Sequence, residues 1–336
     1  VGRQSVWGDF MTKLENKPTL SLVESPQAEK KNWDFPVKKN SFDQGEKKRP
    51  ALTNKAELPQ AIIDAVKNDP YSKGDADFTI TGLLRPPKIG ILEEQHRDEI
   101  VEDASDRIWS LLGQSIHTIL ERANREAIAE RRLSIEIDGL KISGGMDVYE
   151  ESSILTDYKV TSVWKVVKGD ISEWTQQLNC YSVLLRHHNH KVEKLQVIAI
   201  LRDWSKMEAD RDPTYPQAQI VNIPIPLWQP EKAYAFLRER VILHLQARQR
   251  IPECTPEERW ARPTQWAVMK KGMKRALKLY NTEQEARMHV GFDRNLSVVR
   301  RPGMSVRCKS YCPVSKFCEQ YQREINFSTG RVDEEE

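Results

Sequence analysis

The 336-residue sequence has no run approaching the roughly 20 apolar residues that a membrane-spanning helix needs. Its first residues also lack the basic-then-apolar layout of a signal peptide, so a cytoplasmic protein with no membrane role is the expectation. Charge of one sign is not in excess. With 52 Lys and Arg against 49 Asp and Glu, the net charge is +3, and any nucleic-acid surface has to come from local clustering. Cysteine is scarce too. Five in a cytoplasmic chain of this size do not make a disulfide framework, and their spacing is read first for metal binding. There is no internal repeat, no heptad run and no low-complexity tract beyond an acidic tail, which argues against solenoids and coiled coils.

What is present reads as an α/β protein. Residues 1–52 are rich in Lys, Glu, Asn, Ser and Pro without a sustained period, and are expected to form a flexible arm. The spacing then predicts a short helix over 57–68 and a long one over about 99–132, where Ile108, Leu112, Ile116, Ile119 and Ala123 form an apolar stripe. From 133 to 160 the pattern changes to β-rich runs, LSIEID, LKISGGMDVYE and SSILTDYKV, parted by Asp138-Gly139 and by residues 150–153; this reads as an antiparallel meander. A helix at about 172–186, a buried strand at 195–201, a strand reading IVNIPIPLW and a helix at about 230–250 complete a mixed sheet flanked by helices. The expected division is an arm (1–52), a core (53–250), a C-terminal cysteine module (251–325) and an acidic tail (326–336).

Two carboxylates and a lysine carry the chemistry. Asp147 lies near the end of one predicted strand, and Asp157 and Lys159 near the end of the next. Two residues apart on a strand, Asp157 and Lys159 share a face, and an antiparallel neighbour brings Asp147 to the same place. Such oxygen ligands suit a hard divalent cation, with Lys159 beside the attacking water. Alone, a D-x-K match more often marks a solvated strand edge. Context comes from His117 on the preceding helix, and from Gln177 and Tyr181 four apart on the following one. Glu121, one turn beyond His117, is either a partner of that histidine or a surface acid.

The series G-x-x-x-H (Gly113 to His117), G-M-D (Gly145 to Asp147), D-Y-K (Asp157 to Lys159) and Q-x-x-x-Y (Gln177 to Tyr181) resembles the RecB-type branch of the PD-(D/E)xK nucleases. That branch includes AddB nuclease domains, CRISPR-associated exonucleases with four cysteines, and many phage exonucleases. The resemblance covers about 113–181. It implies a restriction-endonuclease-like core and Mg²⁺ or Mn²⁺ held by His117, Asp147, Asp157 and the backbone carbonyl of Tyr158. Lys159 then acts on the attacking water, and Gln177 and Tyr181 orient the site or touch substrate. Met146 replaces the proline that gives the superfamily its name, at a position that ligates nothing.

Near the C-terminus Cys308, Cys312 and Cys318 form C-x₃-C-x₅-C, with Cys254 upstream; Cys180 falls on a predicted helix and reads as a packed residue. Four soft ligands suit a [4Fe-4S] cluster or a Cys₄ zinc site. The resemblance favours iron, although in those relatives the distant fourth cysteine usually precedes the nuclease motifs, whereas Cys254 follows them. A cluster here is therefore expected to staple the C-terminal module to itself. Between these cysteines Lys270, Lys271, Lys274 and Arg275 stand near Trp266, a pattern that suits DNA and equally a solvated helix face.

The expectation is a metal-dependent DNA nuclease that hydrolyses phosphodiester bonds with metal-activated water. The resemblance further implies an exonuclease on single strands or duplex ends in recombination, repair or replication, in a phage or mobile-element setting. A recombinase, single-strand annealing protein or helicase is the implied partner. The rival is a non-catalytic DNA-binding or assembly subunit that keeps the fold. A zinc deaminase is disfavoured because its H-x-E…P-C-x-x-C pattern is absent.

Overall fold

The computed structural model describes residues 50–68, 74–123, 128–129 and 132–329. Most of the expected arm and the end of the acidic tail lie outside these residues. The chain is mixed α/β and divides into two compact units. No helix among the described residues is long and apolar enough to cross a membrane.

The first unit comprises, among described residues, 107–136 and 141–234. Its elements are α1 (Ile108–Ala123), β1 (Ile128–Ala129), β2 (Arg132–Ile137), β3 (Leu140–Gly145), β4 (Val148–Tyr149), β5 (Ile154–Thr161), α2 (Val163–Val167), α3 (Ser172–His187), β6 (Lys194–Leu201), α4 (Lys206–Arg211), β7 (Ile220–Ile225) and α5 (Pro230–Ala247), whose later part enters the second unit. The main sheet has the order β7-β6-β5-β4-β1. β5 and β6 are parallel, in a register running from Ile154 opposite Lys194 to Thr161 opposite Leu201. A parallel pair needs a long crossover, and α2 with α3 supplies it. Leu195, Val197, Ala199 and Leu201 of β6 alternate into the core, while α3 is buried almost all round through Trp174, Leu178, Cys180, Tyr181, Leu184 and Leu185.

Two departures from the predicted elements have local causes. The long helix begins only at Ile108. Ahead of it Val101–Asp103 pairs in parallel with Ala51–Thr53, and Asp103 accepts hydrogen bonds from Ser105 N–H, Ser105 Oγ, Thr53 Oγ1 and Lys55 N–H, which divert the backbone from a helix. At its other end the helix stops at Ala123, and residues expected to continue it form β1. The second departure is a break in LKISGGMDVYE. β3 ends at Gly145 and joins β2 in a separate sheet, whereas β4 starts at Val148 in the main sheet. The turn between β2 and β3 is the expected Asp-Gly pair, with Asp138 and Gly139 both at positive φ (51° and 76°).

The second unit is discontinuous, gathering residues 50–106, 137–140 and those from 235 onward. Ile89 and Leu92 of the helix Pro87–Gln95 pack with Ile100, Val314 and Cys318, flanked by Cys312, Phe317 and Tyr321. Strand Gln265–Lys270 lies between Lys278–Tyr280 and Leu296–Arg301, both antiparallel to it. Helix Glu283–Val290, capped by Thr282 Oγ1 on the Glu285 N–H, joins this sheet through the Tyr280–His289 hydrogen bond.

Candidate active site

Asp147 sits in the two-residue gap between β3 and β4, where the chain switches sheets. The antiparallel register of β4 on β5, with Tyr149 opposite Leu155 and Val148 opposite Thr156, continues by one step to set Asp147 opposite Asp157. The switch is fastened by Tyr158 N–H, which donates to Asp147 Oδ2 at 2.7 Å. Met146 is 2% exposed and anchors the same gap in the core.

Around these carboxylates the other motif residues gather within one unit. His117 Nδ1 lies 3.4 Å from Asp147 Oδ1, and its ring meets Tyr158 edge-on at 6.4 Å. Lys159 Nζ lies 2.8 Å from Asp157 Oδ2. Gln177 Nε2 donates to Asp157 Oδ1 at 3.3 Å and to Tyr181 Oη at 3.1 Å, so buried Tyr181 aims Gln177, which in turn holds the carboxylate. Asp157 is 2% exposed, and its Oδ2 is met by the Lys159 ammonium as an ion pair. The Lys159 ammonium compensates that charge, and a buried carboxylate so placed is also a natural ligand for a cation. Glu121 is exposed.

The electrostatics follow from burial and this charge pairing. Burial lowers the basicity of His117, more than the nearby Asp157 carboxylate restores it, and Lys159 adds to the lowering; the imidazole is held neutral, as a ligand nitrogen must be. Lys159 is also penalised by burial. Asp157 at contact, with Asp147 and Glu173 beyond it, outweighs that penalty and pushes the ammonium above its ordinary value.

A residue outside the sequence motifs holds this helix in place. Asn179, completely buried between Gln177 and Tyr181, donates from Nδ2 to Thr175 O (2.8 Å) and Pro226 O (2.9 Å) and accepts from Trp228 N–H (2.8 Å). It clamps the segment after β7 onto α3. No periodicity singles out such a residue, since the same helix also carries Glu173, Thr175, Gln176, Gln177 and Ser182.

In the second unit Cys254, Cys308, Cys312 and Cys318 line one recess with Lys88, Ile89, Leu92, Arg259, Arg307 and Gln320. Gln320 draws Cys254 to the triplet, accepting from its N–H and donating to its carbonyl, both at 2.9 Å. Burial raises the Cys254 thiol to about 12, helped by Glu258, and raises Cys308 to about 11, helped by Cys312 and Cys318. Among the described residues no group of three or more His, Cys, Asp or Glu side chains stands in metal-holding geometry. The recess also takes in the helix Pro87–Gln95, so the cysteines are joined to a segment that precedes His117 and Asp147 in the chain as well as to their own C-terminal neighbours.

The basic segment is a β-hairpin, not a helix face. Lys270, Lys271, Lys274 and Arg275 are exposed at the end of strand Gln265–Lys270 and in the turn beyond it. Trp266 is half-buried opposite Tyr280 and Arg300, on the sheet face shared with Tyr280.

No family model matches the chain, and no curated protein does. Among solved structures, one of a protein designated SSO0001 is similar over 55% of this chain and 84% of its own, at 18% identity and a TM-score of 0.39. A provisionally designated exonuclease of Eubacterium rectale is similar over 41% of this chain and 54% of its own, at 12% identity and a TM-score of 0.27. A phage related exonuclease of Haemophilus somnus 129PT is similar over 56% and 78% respectively, at 14% identity and a TM-score of 0.25. At these values none of the three assigns the chain to a family.

Proposed function

We propose that the centre around Asp147 and Asp157 is that of a metal-dependent DNA nuclease of the PD-(D/E)xK superfamily, in its RecB-like branch, acting as an exonuclease on single strands or duplex ends. The observation that carries this reading is the buried Asp157 carboxylate paired with Lys159, with Asp147 one strand away and a neutral His117 next to it. The mixed sheet flanked by helices supports the further reading of a restriction-endonuclease-like core.

The donor set suits Mg²⁺ or Mn²⁺, with Asp147, Asp157, His117 and the Tyr158 carbonyl as the holding residues. A divalent cation bound there supplies Lewis acidity to the scissile phosphate and to the attacking water. Lys159 places a fixed positive charge where negative charge grows on the phosphate, and Gln177, backed by Tyr181, keeps Asp157 pointed inward. The four cysteines are proposed to hold a [4Fe-4S] cluster, with zinc as the alternative. DNA is the proposed partner, received in part by Lys270, Lys271, Lys274, Arg275 and Trp266, in a phage or mobile-element setting alongside a recombinase, single-strand annealing protein or helicase.

The test is incubation of labelled single-stranded and duplex DNA with the protein in Mg²⁺, Mn²⁺ or EDTA. Cleavage is expected only with metal, and Asp157→Ala and Lys159→Ala are each expected to lower it about a hundredfold or more. Cleavage that persists in EDTA, or in both variants, overturns the mechanism. Anaerobic purification and metal analysis test the cysteines: iron or zinc is expected in the native protein and lost in Cys254→Ser, and a protein free of both removes the cluster.

A further inference from the structure

Two tryptophans of the first unit stand open to solvent. Trp109 in the first turn of α1 and Trp164 in α2 are each 55% exposed, where large aromatic side chains are ordinarily well covered. Both are held firmly. The Arg202 guanidinium stacks over the Trp109 ring at 4.4 Å. Arg202 follows β6, and its N–H donates to Thr161 O at 3.0 Å, so the stacked pair sits at the end of the strand that carries Asp157 and Lys159. Trp164 starts from the same strand end. Asp203 accepts from Ser162 Oγ and Val163 N–H, both at 2.7 Å, and so fastens the first turn of α2. Behind the indole, buried Tyr215 meets it edge-on at 6.5 Å, and Tyr215 Oη accepts from Ser205 N–H. Trp109 lies eight residues before His117 on α1, about 12 Å along the axis, and Trp164 lies five residues beyond Lys159.

We propose that Trp109, Arg202 and Trp164 form a base-stacking track that receives single-stranded nucleic acid beside the candidate catalytic centre. The proposal rests on the nuclease reading above and specifies the form of its substrate. A duplex keeps its bases inside and offers these indoles only its backbone. An unpaired strand offers the face of each base, and stacking on an indole is indifferent to sequence. Arg202 adds a cation to the track, both to the indole and to the phosphates of a strand lying on it. The Asp203 carboxylate, next to Arg202 in the chain, is engaged by its two donors at the helix start. Leu112 and Ile119 extend an exposed apolar line from Trp109 along α1, so a second copy of the chain is the competing occupant that the test has to separate.

The test uses the full chain in EDTA, where no cleavage intervenes, with fluorescein-labelled oligothymidylate and a blunt duplex of equal length read by anisotropy. Trp109→Ala and Trp164→Ala are each expected to weaken oligothymidylate binding about five- to a hundredfold, with blunt-duplex affinity changed less than about twofold. Trp164→Phe, which keeps a ring in place, is expected to retain most of the affinity and keeps the test decisive if an alanine variant folds poorly. Single-strand affinity within about twofold of wild type in both well-folded alanine variants overturns the track, as does an equal loss on the blunt duplex. A concentration-dependent dimer that Trp109→Ala abolishes while single-strand binding is unchanged overturns it in favour of self-association. Tryptophan-dependent single-strand binding in a protein that cleaves nothing with metal present supports the track and sinks the hydrolytic reading alone.

Discussion

Replacing Asn179 is expected to destabilise the first unit more than any surface change. Asn179→Leu keeps the volume and removes three hydrogen bonds: Nδ2 to Thr175 O, Nδ2 to Pro226 O, and Trp228 N–H to Oδ1. Thr175 O keeps its intrahelical partner, but Pro226 O loses the donor Nδ2 and Trp228 N–H loses the acceptor Oδ1 that Asn179 provides. Pro226 is exposed and Trp228 half-buried, so water compensates in part, and at about 0.5–1.5 kcal/mol for each lost bond the expected total is about 1–3 kcal/mol. Urea unfolding at neutral pH measures it as a lowered midpoint with an unchanged slope. Hydrogen exchange adds a local reading, since the Trp228 amide is expected to lose its protection first. The change is also expected to lower activity, because Gln177 and Tyr181 stand on either side of Asn179 and hold Asp157. A loss of stability below about 1 kcal/mol in Asn179→Leu refutes the account of Asn179 as a clamp.

Two further predictions concern the second unit. His244 is held neutral, down to about 4 from 6.5, first by burial and then by Arg240, with Nε2 positioned to donate to Leu83 O at 3.0 Å. The unfolded chain takes up this proton more readily, so the contribution is complete above pH 6.5 and is lost as pH falls toward 4. The loss is about 1–2 kcal/mol after allowance for solvent screening, and is expected to be smaller in His244→Gln; an NMR titration of His244 near 6.5 refutes it. At Gly303 a Cβ would lie 2.6 Å from Arg262 O and 2.9 Å from Thr264 N, both backbone atoms that cannot swing aside. Gly303→Ala is therefore expected to open the pairing of Ala261–Arg262 with Met304–Ser305 at a cost of about 1–3 kcal/mol; a melting temperature within about 1 °C of wild type counts against it.

How much of this was legible in the sequence depended on how local each signal was. Period two placed Asp157 and Lys159 on one face of a strand, and they form an ion pair there; period four placed Gln177 above Tyr181, and they are hydrogen-bonded. Asp-Gly announced its turn through the positive φ it tolerates. The start of α1 was not legible, because what diverts the chain ahead of Ile108 is Asp103 gathering donors from Thr53 and Lys55, some fifty residues earlier. Nor was the break after Gly145, since residues on both sides of it have strand character and only pairing with different partners separates them. The hairpin around Lys274 was not legible either, because it depends on Gln265–Lys270 pairing with Lys278–Tyr280 and with the distant strand Leu296–Arg301.

The core shared by Ile89, Leu92, Val314 and Cys318 bears on the order of folding. These residues are separated by roughly 220 positions, and closing a loop of that size costs about 5 kcal/mol before any contact is made. The first unit is nearly continuous in sequence and has no such debt. During synthesis it is complete before the C-terminal partners of Ile89 and Leu92 exist, and domains fold as units as they emerge. The early segment 87–100 must therefore wait, with its apolar residues uncovered, until the last cysteine has left the ribosome. A chain cut short before Val314 is consequently expected to keep the first unit and to aggregate through the second.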